Sequence, residues 1–307
     1  MKIPLLYVAI LLIISCKKND APPIETEAPL PIAKLKKVSF WYGFSDTLGL
    51  PNIIDTIYYN TNNQIERVQS TSPYSNNSTT NYNITYNSEG KISFIVNRLN
   101  DTSTAAYTFI YNTAGKLDSI KSDMHLYSCN TSFKYNVNGD LSDIYSYSYE
   151  TSQPGTIYMK SHSIYGWNAN GKLDSIHIES SSPQIPVNIR TFTFTSASNI
   201  MTSLDKTYLL ISALVQDPLF DFSTNSGNAG ILAFYQFLNP GINMLGEGME
   251  IWDFPESKQH SNTRYFHRFD LYTNKQLRTL IPYYFAPAIQ GAYPTSVQRF
   301  EYLPKSS

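Results

Sequence analysis

Tyr86-Asn87-Ser88-Glu89-Gly90-Lys91-Ile92 and Tyr111-Asn112-Thr113-Ala114-Gly115-Lys116-Leu117 are two copies of one seven-residue pattern, and that pattern decides the fold. Three more copies share it: Tyr59-Asn60-Thr61-Asn62-Asn63-Gln64-Ile65, Tyr135-Asn136-Val137-Asn138-Gly139-Asp140-Leu141 and Trp167-Asn168-Ala169-Asn170-Gly171-Lys172-Leu173. Two weaker copies begin at Phe194, with Ile200 in the Leu place, and at Leu271, with Leu277 there. The first six begin 27, 25, 24, 32 and 27 residues apart. A repeat of this period is one supersecondary unit that buries its apolar face against its neighbours.

The spacing has a mechanical reading. Asn at the first corner of a turn accepts a hydrogen bond from the backbone two residues on. Gly three places later takes the left-handed conformation that closes a short hairpin loop with a bulge. In the first copy Asn63 holds that place, and Asn is among the few other residues that tolerate it. Asn then pairs with Lys, and Tyr lies across from Leu, where aromatic–aliphatic pairs contribute ~0.2–1 kcal/mol each. The incoming strands alternate as such hairpins require. Tyr82, Ile84 and Tyr86 oppose Asn81, Asn83 and Thr85; Cys129, Thr131, Phe133 and Tyr135 oppose Asn130, Ser132 and Lys134. Tyr107, Phe109 and Tyr111 form another apolar row, and Cys129 reads as a quiet core thiol.

A second regularity accompanies the first. Val68, Ile95, Ile120, Ile144 and Ile176 each stand nine places after the start of their copy. Counting alternation straight across the hairpin puts them on the face opposite the Tyr–Leu row. Two partly apolar faces predict a sheet that curls on itself or packs against another layer. The expected fold is therefore all-β: an antiparallel meander of repeated hairpins forming a curled sheet or barrel-like structure. The rhythm breaks over about 205–262, which reads as an insertion. There Lys206–Val215 and Gly230–Leu238 suit short helices, the second stopped by Asn239-Pro240-Gly241, that plug or cap the sheet. Strand patterning resumes at Tyr265–Leu280 and Thr295–Leu303.

The N-terminal end carries an address. Lys2 precedes a twelve-residue apolar run, Ile3–Ile14, that contains Pro4. A bilayer-spanning helix needs about 20 such residues; a basic start, a short apolar core and a small residue before the cut describe a signal peptide, residues 1–15. Ile13-Ile14-Ser15-Cys16 resembles the bacterial lipobox. The resemblance implies cleavage after Ser15 and acylation of Cys16 on its thiol and new amine, an anchor that several acyl chains make stable. Lys17-Lys18-Asn19-Asp20 follows, and Cys-Lys-Lys-Asn-Asp is similar to the start of Bacteroidota outer-membrane lipoproteins. Residues 17–36 hold Pro22, Pro23, Pro29 and Pro31, which reads as a stiff tether reaching roughly 60 Å at about 3.1 Å per residue. A single β domain is expected over 37–307.

Composition excludes several classes. Losing Lys2 with the signal peptide leaves 22 basic against 24 acidic residues, too little field to argue for nucleic acid or an anionic membrane face. Charged residues are 15% of the chain, below the ~25% of ordinary soluble proteins. Tyr, Ser, Thr and Asn take their place, as half-buried hydroxyl-rich strands require. With Cys16 acylated, Cys129 has no disulfide partner.

The search for chemistry finds no catalytic set, no cofactor motif and no metal motif. His125, His162, His177, His260 and His267 form no helical His-Glu-x-x-His pair; His162 and His177 flank one hairpin and are within reach of meeting across it. No Gly-x-Ser-x-Gly elbow is present. Glu247, Glu250, Asp253 and Glu256 gather beside Trp252 and Phe254, the residue types a glycosidase uses, but a solvated loop with a buried Trp is the favoured reading of the same residues. Asp118-Ser119 and Asp174-Ser175 recur with the hairpins, which points to a role in the sheet. The repeat tyrosines read as core, and Trp41, Trp167 and Trp252 are the aromatics left open to a ligand.

Tyr-Asn-x-x-Gly-Lys-Leu resembles the Tyr-Asp-x-x-Gly-Arg-Leu core of YD (RHS-type) repeats, which wind β-sheets into secreted shells. The match covers about 60–204 well and 265–280 weakly, with Asn for Asp in every clear copy. The chain is more closely similar to Bacteroidota outer-membrane lipoproteins of unknown function that carry a few such repeats in a porin-like curled sheet. That resemblance implies a fold and no catalytic residues. The expectation is a lipid-anchored, extracytoplasmic, outer-membrane protein on the cell surface or periplasmic face. Its β domain reads as a non-enzymatic binding or scaffold module for a glycan or another envelope protein. The alternatives are a polysaccharide-processing enzyme or accessory glycan binder, and a structural envelope part.

Overall fold

The computed structural model describes residues 34–42, 49–76, 78–100, 102–124, 127–152, 156–169, 173–181, 188–197, 205–216, 246–254, 259–271, 277–285, 292–294 and 296–304. The expected signal peptide, Cys16, most of the expected tether, Gly230–Leu238, His125 and Glu256 lie outside them.

The strands are β1 Leu35–Tyr42, β2 Ile53–Tyr59, β3 Ile65–Ser72, β4 Ser78–Tyr86, β5 Ile92–Leu99 and β6 Thr102–Tyr111. They continue as β7 Leu117–Met124, β8 Tyr127–Tyr135, β9 Leu141–Glu150, β10 Ile157–Trp167, β11 Leu173–Ser181 and β12 Asn188–Ala197. After helix α1, Lys206–Gln216, come β13 Gly246–Phe254, β14 Gln259–Leu271, β15 Leu277–Phe285, β16 Ala292–Pro294 and β17 Ser296–Tyr302. All belong to one antiparallel sheet, each strand from β1 to β15 pairing with the next. β17 then pairs with both β15 and β1, so the circuit of pairings returns to its start and the sheet is barrel-like.

The repeats are hairpins whose tips behave as their residues require. Asn63, Gly90, Gly115 and Gly139 have positive φ, from 61° to 85°. The Asn112 side-chain oxygen accepts from the backbone N–H of Ala114 and of Lys116, both at 3.0 Å, and Asn60, Asn87 and Asn136 do the same. Tyr86 stands across from Ile92, Tyr111 from Leu117 and Tyr135 from Leu141.

Two further ladders explain the rest of the pattern. The Tyr86 hydroxyl donates to the Ile65 carbonyl, Tyr111 to Ile92 and Tyr135 to Leu117, each at 2.8 Å. Trp167 donates through Nε1 to Leu141 at 2.7 Å, which is why an indole serves in that copy. Burial pushes the Tyr111 hydroxyl up to about 12, so it remains a donor at any working pH. The residue before Ile or Leu reaches the next turn: Gln64 Nε2 donates to the Gly90 carbonyl, and Lys116 Nζ to that of Gly139. Lys91 and Lys116 also sit over the rings of Tyr111 and Tyr135, at 5.4 and 5.0 Å from the centroids.

The second apolar row falls on the same face as the first, against the alternation count. Each hairpin carries a register shift beside its Tyr–Leu pair, as between Ile110 and Tyr111. The residue after Leu is the extra one, so Leu117 and Ile120, three apart, face the same way. Asp118 and Asp174 occupy that bulge, which is the sheet role their periodicity suggested. Val68 pairs with Ile57 and Tyr82, and Ile95 with Ile84 and Tyr107. Val68, Ile95, Ile120, Ile144 and Ile176 are 0–1% exposed and join Ile65, Leu117, Leu141, Phe133 and Phe300 in one core on the inner face. Each such side chain contributes about 1.5–3 kcal/mol through burial. The opposite face carries Thr85, Thr108, Lys121, Asn130, Ser132 and Lys134, all exposed. Over β4–β8 the described inner face is therefore mainly apolar, and these outward residues are polar.

Three boundaries differ from the sequence reading. β1 begins at Leu35, within the expected tether. The copy at Phe194 is not a hairpin: β12 runs on to Ala197, and Phe194 pairs with Gly248 of β13. Strand pairing resumes at Gly246, so β13 and the start of β14 fall inside the expected insertion. The copy at Leu271 keeps the repeat register, Leu271 across from Leu277 with the same adjacent shift.

Candidate functional site

Among the described residues, part of the interior is occupied. Barrels of about sixteen strands leave a lumen wider than their own side chains fill, and α1 lies against the inner face of β2–β4. Asp205 caps it, accepting from the Thr207 N–H at 2.8 Å. Thr207, Tyr208, Leu209, Leu210 and Ile211 are all buried. Five consecutive helical residues go once round the axis, so the turn they form is covered on every side. Tyr86 and Thr207 join hydroxyls at 3.3 Å, and the Tyr208 hydroxyl donates to Asp55 of β2 at 2.8 Å. The helix serves as a plug, as its composition predicted.

The inner wall of β7–β10 differs from the rest. Ser122, Thr131, Ser146, Ser148, Ser161 and Ser163 are buried there. Thr131 and Ser146 are joined at 3.0 Å, and Cys129 is a buried thiol 3.7 Å from the Thr131 hydroxyl. With Ser146 and Ser148 inside, their neighbours Tyr145, Tyr147 and Tyr149 belong to the outer wall, where they are half-buried. This reverses the pattern of the repeat tyrosines Tyr86, Tyr111 and Tyr135, which face inward. The alternation Tyr145-Ser146-Tyr147-Ser148-Tyr149 is plain in the sequence, but the general rule that aromatic residues are core hid its direction.

Those tyrosines begin the most distinctive outward surface among the described residues. They recur along β9 at two-residue intervals, about 7 Å apart by strand geometry. Tyr145 lies between Ser132 and His162, and Tyr147 between Asn130 and Lys160. The His162 ring stacks on Tyr145, centroids 4.1 Å apart and planes within 10°. Its Nε2 is 2.9 Å from Asp143 Oδ1, and Lys134 sits 4.6 Å from the Tyr145 ring centre. Partial burial pushes the Asp143 carboxyl up, but hydrogen bonds from His162 and Ser142 and the charges of His162 and Lys134 outweigh it and hold the group below its ordinary value. Flat rings beside hydroxyl, amide and charged groups stack ligands and satisfy their polar edges; nothing in the arrangement forms a nucleophile and base aimed at a common atom.

The residues singled out from sequence fall elsewhere. His162 and His177 do not pair: His162 is across from Glu179, and His177 from Ile164. His177 Nε2 lies 3.4 Å from Glu179. Trp41 is buried, with Nε1 donating to the Gly49 carbonyl at 3.1 Å and Arg299 over its ring; Trp167 belongs to the hydrogen-bond ladder. Neither is free for a ligand. Glu247, Glu250 and Asp253 lie on a strand, β13, not a loop. His260, His267 and Trp252 are strand positions of β14 and β13. Among the described residues, no group of three or more His, Cys, Asp or Glu is placed to hold a metal ion, and no helix is long and apolar enough to cross a membrane.

No protein-family model matches the chain, and no curated protein matches it. Solved structures do. A porin-like protein from Bacteroides uniformis superposes with a TM-score of 0.52 at 12% identity, covering 90% of this chain and 99% of that one. A porin-like protein from Bacteroides vulgatus matches with a TM-score of 0.44 at 12% identity, over 89% and 99% of the two chains. The Tc holotoxin pore of Photorhabdus luminescens matches with a TM-score of 0.31 at 10% identity, over 83% of this chain and 13% of that one. At such identity the likeness speaks of architecture alone, and the chain shares the all-β, porin-like fold of the Bacteroides uniformis protein.

Proposed function

We propose that this is a lipid-anchored, extracytoplasmic protein of the outer membrane whose β domain is a non-enzymatic binding or scaffold module working through its outer wall. The observation that carries the reading is the sidedness of the sheet. A membrane-spanning barrel turns apolar residues to lipid and polar ones to its lumen. Here the apolar rows and a plug helix are inside, and Lys121, Lys134, Asn130 and Ser132 are outside. Among the described residues, the outward face carries these polar groups where a membrane-spanning barrel would carry lipid-facing ones, and α1 covers part of the inner face; the surface this leaves for contact is outward, with Tyr145, Tyr147, Tyr149 and His162 as its aromatic strip. The anchor rests on Ile13-Ile14-Ser15-Cys16, and the porin-like likeness supports an envelope setting.

Two measurements test this. Cys16→Ala should abolish incorporation of a palmitate analogue and release the protein from the membrane fraction; retained label would remove the anchor. Purified protein screened on glycan and envelope-protein arrays should find a stable partner, and Tyr147→Ala with Tyr149→Ala should weaken it by tenfold or more. Ion conductance across planar bilayers, or turnover of a glycan without stable binding, would overturn the module reading.

A further inference from the structure

Asp55 is the one charged-type side chain in the buried core of the described residues. It lies on β2, is 2% exposed, and forms no ion pair among those residues. Its two oxygens have separate partners. Ser70 of β3 donates to Oδ1, and Tyr208 of α1 donates to Oδ2 at 2.8 Å. Its cross-strand neighbour on β1 is the apolar Val38. The titratable groups that face it are Tyr42 of β1, Tyr82 of β4 and Tyr208 of α1, all phenols that stay neutral at working pH and offer no positive charge. A carboxylate in such a place lacks the cation that normally repays its desolvation.

We infer that Asp55 is a proton-operated latch: the neutral carboxyl holds α1 against the inner wall, and its ionisation loosens the helix. The carboxyl is the polar link between the middle of the plug and the wall, because the other one, Tyr86 to Thr207, lies at the N-terminal end of α1. Burial pushes Asp55 up to about 6, and the hydrogen bonds from Ser70 and Tyr208 only partly offset it. The sign follows from linkage. A carboxyl whose folded value is raised favours the folded, docked state below its unfolded value, and that contribution is lost as pH rises through about 6. The plug is thus held more tightly in a mildly acidic medium than in a neutral one, and the inner face of β2–β4 becomes more accessible as the medium turns neutral.

Hydrogen exchange of the full-length lipoprotein in detergent micelles, followed from pH 5 to pH 7.5 and corrected for intrinsic rates, tests the latch. Protection of the amides of 207–211 should fall by on the order of tenfold over that range, while the β6–β7 hairpin should not follow it. Asp55→Asn should keep the helix protected and remove the pH dependence. Tyr208→Phe, which deletes one donor to the carboxylate, should move the midpoint to higher pH and decides the matter where Asp55→Asn does not fold. Protection that is flat with pH in the natural protein, or an unchanged midpoint in Tyr208→Phe, would overturn the inference.

Discussion

The hairpin at Tyr86–Ile92 and the seam at Tyr302–Leu35 are the same structure made in two ways. In the hairpin, Tyr86 faces Ile92 beside a register shift, and the Asn87 N–H donates to the Lys91 carbonyl at 2.8 Å. At the seam, Tyr302 faces Leu35 beside a register shift, and the Leu303 N–H donates to the Lys34 carbonyl at 2.9 Å. Lys34 even behaves as a repeat lysine, bonding to Asn63 of the next turn and sitting over Tyr59. The difference is that no turn joins the two halves. One repeat is split between the ends of the described chain, and the circuit of strands closes there without a covalent link. The unit is therefore defined by its cross-strand pair and its bonds to the next unit. The turn lowers the entropy of closing the loop, a cost that grows only slowly with loop length.

That comparison can be broken most directly at the seam. Phe300 is 1% exposed and lies across from Val38 of β1. Phe300→Ala is expected to cost about 3–5 kcal/mol and to lower the denaturant midpoint of the whole domain. A local loss confined to β17 would show that the seam stands apart from the cooperative unit. The covalent turns predict a smaller effect. Gly115→Val should cost about 1–2 kcal/mol, because an L side chain resists positive φ. The added carbon would also meet the Lys91 ammonium, but that flexible end can move aside. Asn63→Gly, at the described repeat turn where Asn takes the place of Gly, should leave the melting temperature within a degree or two; a large drop would mean the Lys34 bond matters more than backbone freedom. The ladder between units sharpens the comparison further. Tyr111→Phe leaves the ring and deletes the donor to Ile92, for an expected loss of about 1 kcal/mol, read from equilibrium unfolding. No loss would show that the hydroxyl bonds follow the packing and do not help to set it.

Much of this was legible because it is local. Asn112, Gly115 and the Tyr111–Leu117 pair lie within seven residues, and turn chemistry at that range is nearly independent of context. Cys129 and the plug helix were legible from alternation and from an unbroken apolar run. The Ile120 row was misplaced because one extra residue, Asp118, reverses every parity after it, and a bulge leaves no mark in composition. The outer aromatic strip was hidden for a related reason: Tyr145 and Ser146 alternate whichever way the strand is turned, and the direction depends on what β8 and β10 present beside it.

What the chain carries in its own letters is the hairpin unit: its turn conformation, its cross-strand pair and the donor that reaches the next copy, all set by interactions a few residues long. What only the tertiary structure decided is which face became the inside, that the two ends meet to complete a repeat, and that a buried Asp55 meets Tyr208 from a helix more than a hundred residues away. Those outcomes depend on the sum of many strand twists and bulges around a circuit, and on desolvation at contacts between distant segments, neither of which any short stretch of residues contains.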